Sequence, residues 1–283
     1  MKKNIKIGII GCGNMGKAIA SIHRSAIVFD TDEEKIKHLL KKYRVKTAND
    51  NIDLVRHSDI VIIAVKPRDI EKVLRQVSQV ISRQLFISIA AGVKTGYIEK
   101  IIGKHVKVIR VMPNIAAQVK RGICAICKGK FASARDLETA EKIFRQLGKV
   151  VRIKEQYLDA FTAIVGSGPA YIFYFLEILS EAAMYLGFKE KEAVHFAVEV
   201  AHGSMKLIEK TGLSLSELRE KVTSKGGTTE AAIEIMKIRK VNEVLKEAVC
   251  AAVKRAQELS NEAATFQATP PKAAGRRKVV PLP

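Results

Sequence analysis

Three glycines near the start of the chain constrain its fold more than any other feature. Gly11, Gly13 and Gly16 form a G-x-G-x-x-G pattern directly after the apolar run at residues 5–10, and a helical segment and a second short apolar run follow. This succession is typical of a βαβ unit that binds a dinucleotide. The glycines permit a tight turn, a close approach of the backbone to a pyrophosphate, and close packing of helix on strand. The phosphates are then expected at the helix N-terminus.

An acidic residue closes the second apolar run. Asp30 lies 19 residues after Gly11, where a carboxylate can hydrogen-bond a ribose 2′-hydroxyl. We therefore predict a nicotinamide or flavin cofactor; the structural alternative is a glycine turn that only packs. A carboxylate repels a 2′-phosphate and Thr31 supplies no guanidinium, so Asp30 favours NADH over NADPH. Lys35, one helical turn further on, is the one nearby cation that could offset this preference.

Strand and helix signals alternate through the first half of the chain, as a doubly wound sheet requires. Apolar runs, typical of strands covered on both faces, lie at residues 60–65, 85–91 and 106–112, and a final βαβ-like piece adds strand-like runs at residues 122–127 and 150–153. A helix is predicted at residues 134–147, and residues 31–34 read as a capping box that opens another. The predicted fold class is α/β, with an N-terminal Rossmann-like doubly wound sheet in a dinucleotide-binding domain at residues 1–155.

The hydrophobic period becomes helical after residue 155. Apolar faces at residues 172–186, 193–208 and 241–259 are too extensive to be buried within one small unit. We therefore predict an all-α dimerisation and substrate domain at residues 156–263, and a homo-oligomer. Residues 264–283 combine prolines and basic residues with no acid, which predicts a disordered tail.

Composition favours a cytoplasmic enzyme without a membrane or nucleic-acid partner. No charged and apolar leader precedes the first strand, and the longest apolar candidate for a membrane span, at residues 171–187, is interrupted by Glu177 and Glu181. The net charge of +20 is dispersed along the chain, which indicates a solvated surface that attracts anionic cofactors. Cys124 and Cys127 form a C-x-x-C in a strand-like run, where they point to opposite faces, so no metal site is predicted.

Two glycine-containing loops precede helices in the second half of the chain, at residues 166–169 and 222–229. Each combines small hydroxyl side chains with free backbone N–H groups at a helix N-terminus, which suits a carboxylate ligand. Ordinary helix caps have the same composition. Together with a nicotinamide domain, these loops indicate an amino-acid-like substrate.

Six motifs in order carry a resemblance that covers the chain to about residue 260. They are Gly11-Cys-Gly-Asn-Met-Gly16, Ala64-Val-Lys-Pro67, Ser88-Ile-Ala-Ala-Gly92, Arg110-Val-Met-Pro-Asn114, Gly166-Ser-Gly-Pro-Ala-Tyr171 and Val222-Thr-Ser-Lys-Gly-Gly-Thr-Thr229. With these motifs the chain resembles the pyrroline-5-carboxylate reductases. The resemblance implies NAD(P)H-dependent reduction of 1-pyrroline-5-carboxylate to L-proline, the last step of proline biosynthesis, by a homodimer or a ring of dimers.

The resemblance also implies roles for individual residues. Thr229 would be the catalytic residue near the ring nitrogen, and Pro169 would line the substrate pocket. The substrate carboxylate would be held by Ser224, Gly226, Gly227 and Thr228. The cofactor would contact Gly11, Cys12, Gly13, Asn14, Met15, Gly16, Asp30, Asn51, Ala64, Val65, Lys66 and Pro67.

The chain departs from the family pattern at three places without losing a residue of assigned chemistry. Lys225 replaces a usual proline, Ile115 and Ala116 replace a usual Thr-Pro, and the segment at residues 20–26 is short.

Reduction of a protonated imine depends mainly on positioning. No histidine has a partner with which to act as an acid, and His195 and His202 lie on apolar helical stretches, where packing or interface contacts are expected. This counts against the alternative within enzymes, another two-domain oxidoreductase of the β-hydroxyacid dehydrogenase type. The alternative outside enzymes is a non-catalytic nucleotide-sensing or nucleic-acid-binding protein.

Overall fold

The computed structural model describes residues 5–103 and 105–265, with side chains to residue 260. One eight-stranded sheet organises the first half of the chain, in the order β3-β2-β1-β4-β5-β6-β7-β8. Its strands are β1 (Ile7–Ile10), β2 (Ile27–Phe29), β3 (Lys46–Thr47), β4 (Ile60–Ile63), β5 (Leu85–Ser88), β6 (Lys107–Met112), β7 (Gly122–Lys128) and β8 (Gly148–Arg152). The predicted Rossmann-like sheet is confirmed.

Helices accompany the sheet and then form the second half of the described chain. The helices beside the sheet are α1 (Asn14–Ile22), α2 (Glu33–Lys42), α3 (Asn51–Arg56), α4 (Ile70–Val77), α5 (Thr95–Ile102) and α6 (Ala134–Phe144). The helical part contains α7 (Leu158–Phe161), α8 (Gly168–Tyr185), α9 (Glu190–Thr211), α10 (Leu215–Lys221), α11 (Thr228–Ile238) and α12 (Val241–Thr265). A π-helical turn, Thr162–Gly166, joins α7 to α8.

Strand direction changes once across the sheet. The first six strands in chain order pair in parallel, whereas β6 pairs antiparallel with β7, and β7 and β8 are again parallel. The short link between β6 and β7 allows this reversal because antiparallel neighbours need no crossover helix. The alternation of strand and helix signals in the sequence did not predict the antiparallel pairing of β6 with β7. The sequence also missed β3, whose two residues are polar and exposed.

The sheet is buried on both faces, as its apolar runs predict. Consecutive residues of a strand point to opposite faces, so Ile9 and Ile62 join one core cluster while Ile10 and Ile63 join the other. All four side chains are at most 2% exposed. This double core holds the carboxyl ends of the strands in a fixed arrangement.

Two boundaries differ from the sequence predictions. The N-cap of α2 is Asp32 rather than Thr31: its side chain accepts from the Glu34 N–H at 3.1 Å. The Asp30 carboxylate accepts the Asp32 N–H at 2.9 Å, which keeps residues 30–32 outside the helix. Helix α12 continues to Thr265, two residues into the predicted tail; the rest of that tail, at 266–283, lies outside the described residues.

The helical part leaves large apolar side chains exposed in the single chain. Phe173, Tyr174 and Phe175 on α8 are 55–65% exposed. By length and composition alone, the helical stretch Glu155–Tyr185 is long and apolar enough to cross a membrane. The expectation that no apolar stretch would be long enough to span a bilayer is therefore wrong. The same exposure is what a helix needs when its apolar face packs against another subunit.

Candidate active site

A cavity of about 440 Å³ lies where the carboxyl ends of β1, β2 and β4 meet. In the sheet, β1 lies between β2 and β4, so the direction in which successive strands are added reverses after β3. Ligands of open α/β sheets bind at such a topological switch point. The predicted cofactor site thus coincides with a cavity that the topology itself creates.

The backbone of the glycine turn is tightly packed at Gly11 and Gly16 but open at Gly13, where a ligand can approach. Gly11 adopts φ +100°, and a Cβ there would lie 2.7 Å from the carbonyl of Ala64. A Cβ at Gly16 would collide with the carbonyl oxygen of Gly11. At Gly13, by contrast, no described atom outside residues 12–14 lies within 4 Å of the Cβ position. The residues therefore form a cradle that fits a pyrophosphate.

The Asp30 carboxylate holds the glycine turn as well as facing the cavity. Its Oδ2 accepts from the Cys12 N–H at 2.6 Å, and the Nζ of Lys35 lies 3.7 Å from its Oδ1. The Cys12 thiol is fully buried, and burial raises its pKa to about 12. Cys12 therefore meets Asp30 through its backbone and is absent from the cavity wall, and its contact with a cofactor remains a prediction.

A polar pair on α3 and α4 forms another part of the wall. The Nδ2 of Asn51 donates to the Oε1 of Gln76 at 2.8 Å, and both residues line the cavity. The Oδ1 of Asn51 is buried with no hydrogen-bond partner among the described residues. Buried acceptors are rarely left unpaired, so this atom fits a site that a donor such as a ribose hydroxyl or an adenine amine completes.

The predicted cofactor residues divide into two groups. Those in the wall are Gly11, Gly13, Asp30, Asn51, Ala64, Val65 and Lys66. Asn14, Met15 and Gly16 instead form the first turn of α1, whose N–H groups have no acceptor within the helix. Pro67 opens the 3₁₀ turn after β4. The contacts of both groups with a cofactor remain predictions.

Four of the wall residues that the sequence analysis missed lie on the 3₁₀ turn and the helix α4 that follow β4. Asp69, Lys72, Val73 and Gln76 line the cavity, and their spacing of three or four residues places them on one face of the α4 segment. That spacing, read directly after Lys66 and Pro67, was the available signal. The wall carries three lysines and three aspartates, so its formal charges balance: Lys35, Lys66 and Lys72, and Asp30, Asp50 and Asp69.

The first predicted substrate loop, at residues 166–169, lies at the start of helix α8. Pro169 stands in the first turn of α8, as expected for a proline at a helix start. A Cβ at Gly166 would lie 2.9 Å from the Cε of Met112 at the end of β6. The π-helical turn before Pro169 therefore packs directly on the sheet.

The second predicted substrate loop does not present all its N–H groups freely. The Gly226 N–H donates to the Oε2 of Glu230 at 2.6 Å, and the Gly227 N–H donates to the Ser224 carbonyl at 3.0 Å. The prediction that these two groups are free is wrong, because the turn and the Glu230 carboxylate satisfy them locally. Thr228 and Thr229 open α11, where first-turn N–H groups lack helical acceptors. Neither lines the cavity described above.

The comparisons with known proteins agree with this arrangement. The family described as "Pyrroline-5-carboxylate reductase dimerisation" matches residues 155–259. The family described as "NADP oxidoreductase coenzyme F420-dependent" matches residues 6–92. Fold and site therefore define an NAD(P)-dependent oxidoreductase with a Rossmann-like sheet and a helical dimerisation region.

Similarity over nearly the whole chain specifies this class further. A pyrroline-5-carboxylate reductase of Methanosarcina acetivorans is 36% identical over 269 residues, which cover 92% of this chain and 100% of that protein. The chain belongs to the pyrroline-5-carboxylate reductase family.

Solved structures of that family share the fold. A pyrroline-5-carboxylate reductase from Coxiella burnetii is 34% identical, with a TM-score of 0.83 over 90% of this chain and 98% of that one. The Plasmodium falciparum pyrroline carboxylate reductase, solved with NADP bound, is 28% identical, with a TM-score of 0.82 over 91% and 99% of the two chains.

Proposed function

We propose that this protein reduces 1-pyrroline-5-carboxylate to L-proline with a reduced nicotinamide dinucleotide, the last step of proline biosynthesis. The observation that carries the proposal is the 36% identity to the Methanosarcina acetivorans reductase over that protein's full length. The glycine cradle at the cofactor cavity supports the same function. We expect the protein to act in the cytoplasm.

Residues of the cavity bind and orient the dinucleotide. The first turn of α1 faces the diphosphate with unpaired N–H groups, and Asp30 accepts a ribose hydroxyl. When bound, the reduced nicotinamide supplies a hydride to the electrophilic imine carbon. The part of the wall that the structure describes contains no histidine, and a protonated imine needs none, since positioning dominates.

We propose that NADH is preferred. The side chain of Asp30 is only 12% exposed, so its carboxylate is poorly screened from a 2′-phosphate. Asp32 adds a second negative charge beside Lys35, with 3.2 Å between Nζ and Oδ2. One lysine thus faces two carboxylates, and the net charge of Asp30, Asp32 and Lys35 is negative.

We propose that substrate binds between the two loops of the helical part. Pro169 lines the pocket, and the hydroxyl oxygen of Thr229 accepts a hydrogen bond from the protonated ring nitrogen. The substrate carboxylate is surrounded by Ser224, Gly226, Gly227 and Thr228. Since Gly226 and Gly227 use their N–H groups internally, the N–H groups of Thr228 and Thr229 are the available donors. We expect a homodimer or a ring of dimers, which light scattering of the full chain checks.

The proposal is tested by following NADH absorbance with 1-pyrroline-5-carboxylate and, in the reverse direction, NAD⁺ with a panel of 2- and 3-hydroxy acids. We expect turnover with the imine alone. Turnover of a hydroxy acid without the imine would indicate a dehydrogenase of another kind. Salt-sensitive retention on DNA with no turnover would indicate a binding protein.

A further inference from the structure

One buried arginine joins the sheet to the start of the helical part. Arg110 lies on β6 and is 1% exposed. Its Nη1 lies 3.4 Å from Oε1 of Glu155, and its Nη2 lies 3.4 Å from Oδ1 of Asp159. Both carboxylates stand where the helical part begins, immediately before and within α7.

The same cluster reaches the last helix. The Oγ of Ser260 donates to Asp159, at 3.2 Å from Oδ1 and 3.3 Å from Oδ2. Next to it, Gly92 adopts φ +75°, and a Cβ there would lie 3.1 Å from the Ser260 nitrogen. The start of the helical part and the C-terminal region of α12 therefore meet at Asp159, which also contacts the Arg110 guanidinium.

A further link ties the cluster to the cofactor side of the sheet. Glu155 accepts the Thr95 N–H at 2.8 Å through Oε1 and the Thr95 hydroxyl at 2.9 Å through Oε2. Thr95 begins α5, just after the loop that follows β5. Each carboxylate thus contacts the guanidinium and one further element, so the two parts are fixed by a network rather than by one pair.

The cluster lies directly upstream of a proposed substrate residue. From Asp159 the chain continues through α7 and the π-helical turn to Pro169, without an intervening loop. Two residues along β6 from Arg110, Met112 packs under Gly166. A small rotation at Asp159 would therefore be carried through continuous helical structure to Pro169.

We propose that Arg110 is a positioning residue, which fixes the Pro169 turn relative to the cofactor edge of the sheet by holding Glu155 and Asp159 at the start of the helical part. The inference rests on the proposed function. Among the described residues, Arg110 makes no hydrogen bond to a residue of the cavity wall or of the two substrate loops. It acts through Glu155, Asp159 and Ser260.

The test compares Arg110→Lys with Lys107→Met. Lysine keeps the charge but cannot donate in a fork to two carboxylates. Lys107 is on the same strand, with its Nζ 3.3 Å from Asp136 Oδ1 at the surface, and serves as the matched control. We expect Arg110→Lys to raise KM for the imine and lower kcat, each by about tenfold, the factor that 1.4 kcal/mol produces. The dissociation constant for NADH, read by fluorescence, should stay within about twofold of the wild type.

These readouts separate positioning from loss of folded protein. A smaller folded fraction lowers apparent kcat but leaves KM unchanged. An Arg110→Lys enzyme with wild-type KM, and with kcat reduced only by its folded fraction, would overturn the inference. Because Arg110→Lys could fail to fold, Ser260→Ala provides the same test with the guanidinium intact, and we expect a smaller rise in KM in the same direction.

Hydrogen exchange tests the joint independently of turnover. Arg110→Lys should speed amide exchange in residues 158–169 and leave β1 and α1 unchanged, whereas Lys107→Met should change neither. Unchanged exchange at residues 158–169 would overturn the inference even if the enzyme is active. If the wild type does not reduce the imine, the proposed function fails, and the exchange result still decides whether Arg110 holds this turn.

Discussion

The ammonium of Lys35 lies 3.7 Å from the Asp30 carboxylate, at the wall of the cofactor cavity. Lys35 also contacts Asp32, and the two carboxylates raise the pKa of Lys35 through a hydrogen bond from its Nζ to Asp32 and the charge of Asp30. The lysine therefore stays protonated at neutral pH. Lys35 thus lies beside Asp30, the residue expected to face a ribose 2′-substituent.

Lys35→Met should sharpen the preference for NADH. Removing the ammonium leaves Asp30 and Asp32 to repel a 2′-phosphate, so we expect KM for NADPH to rise about tenfold and KM for NADH to change by less than about twofold. Lys37→Met is the control, because Lys37 lies on the same helix and pairs with Glu34. Steady-state kinetics with both cofactors check this. An equal effect of the two variants would contradict the role of Lys35.

The combined variant Asp30→Ser, Thr31→Arg should move preference toward NADPH. It removes the repelling carboxylate and adds a guanidinium that binds a phosphate. The Cys12 N–H loses its partner in this variant, so some loss of thermal stability should accompany the switch. The ratio of kcat/KM for the two cofactors is the measurement. A wild type that already prefers NADPH would refute the interpretation of Asp30.

Gln76 should matter through the orientation of Asn51. Gln76→Glu keeps an acceptor for the Asn51 Nδ2, whereas Gln76→Leu removes it and frees the amide to rotate. We expect Gln76→Leu to weaken NADH binding by about tenfold, the loss of about one hydrogen bond, and Gln76→Glu to retain most of the affinity. Fluorescence titration with NADH measures both. Equal loss in the two variants would show that Gln76 acts by other means.

Thr229→Val should separate holding the substrate from orienting it. The backbone at residues 228 and 229 is unchanged, so KM for the imine should stay close to normal. Loss of a hydrogen bond worth roughly 1.5–3 kcal/mol lowers kcat by about 10- to 100-fold if it is felt only in the transition state.

Gly227→Val, which crowds the approach to the loop, should instead raise KM. Thr211→Val, which removes a remote hydroxyl bonded to the Leu207 carbonyl, is the control. An unchanged kcat in Thr229→Val, or an unchanged KM in Gly227→Val, would remove this loop from the proposed site.

The sequence predicted those features that depend on local pattern. The glycine turn, the placement of Asp30 and the apolar strands each follow from neighbours in the chain, and all are present. The Asn51–Gln76 bond joins residues 25 apart and depends on how α3 packs against α4. The occupied N–H groups of Gly226 and Gly227 were missed because Glu230 reads equally well as a solvated helix residue.

Transfer of hydride to the imine carbon is the central claim, and an isotope experiment tests it most directly. The enzyme is incubated with 1-pyrroline-5-carboxylate and NADH that carries deuterium at the transferable position of the nicotinamide, and the product is examined by mass spectrometry and NMR. The account predicts L-proline with one deuterium at C5, the ring carbon of the former imine, in amounts equal to the NADH oxidised. Oxidation of NADH without deuterated proline, or no oxidation at all, would contradict it.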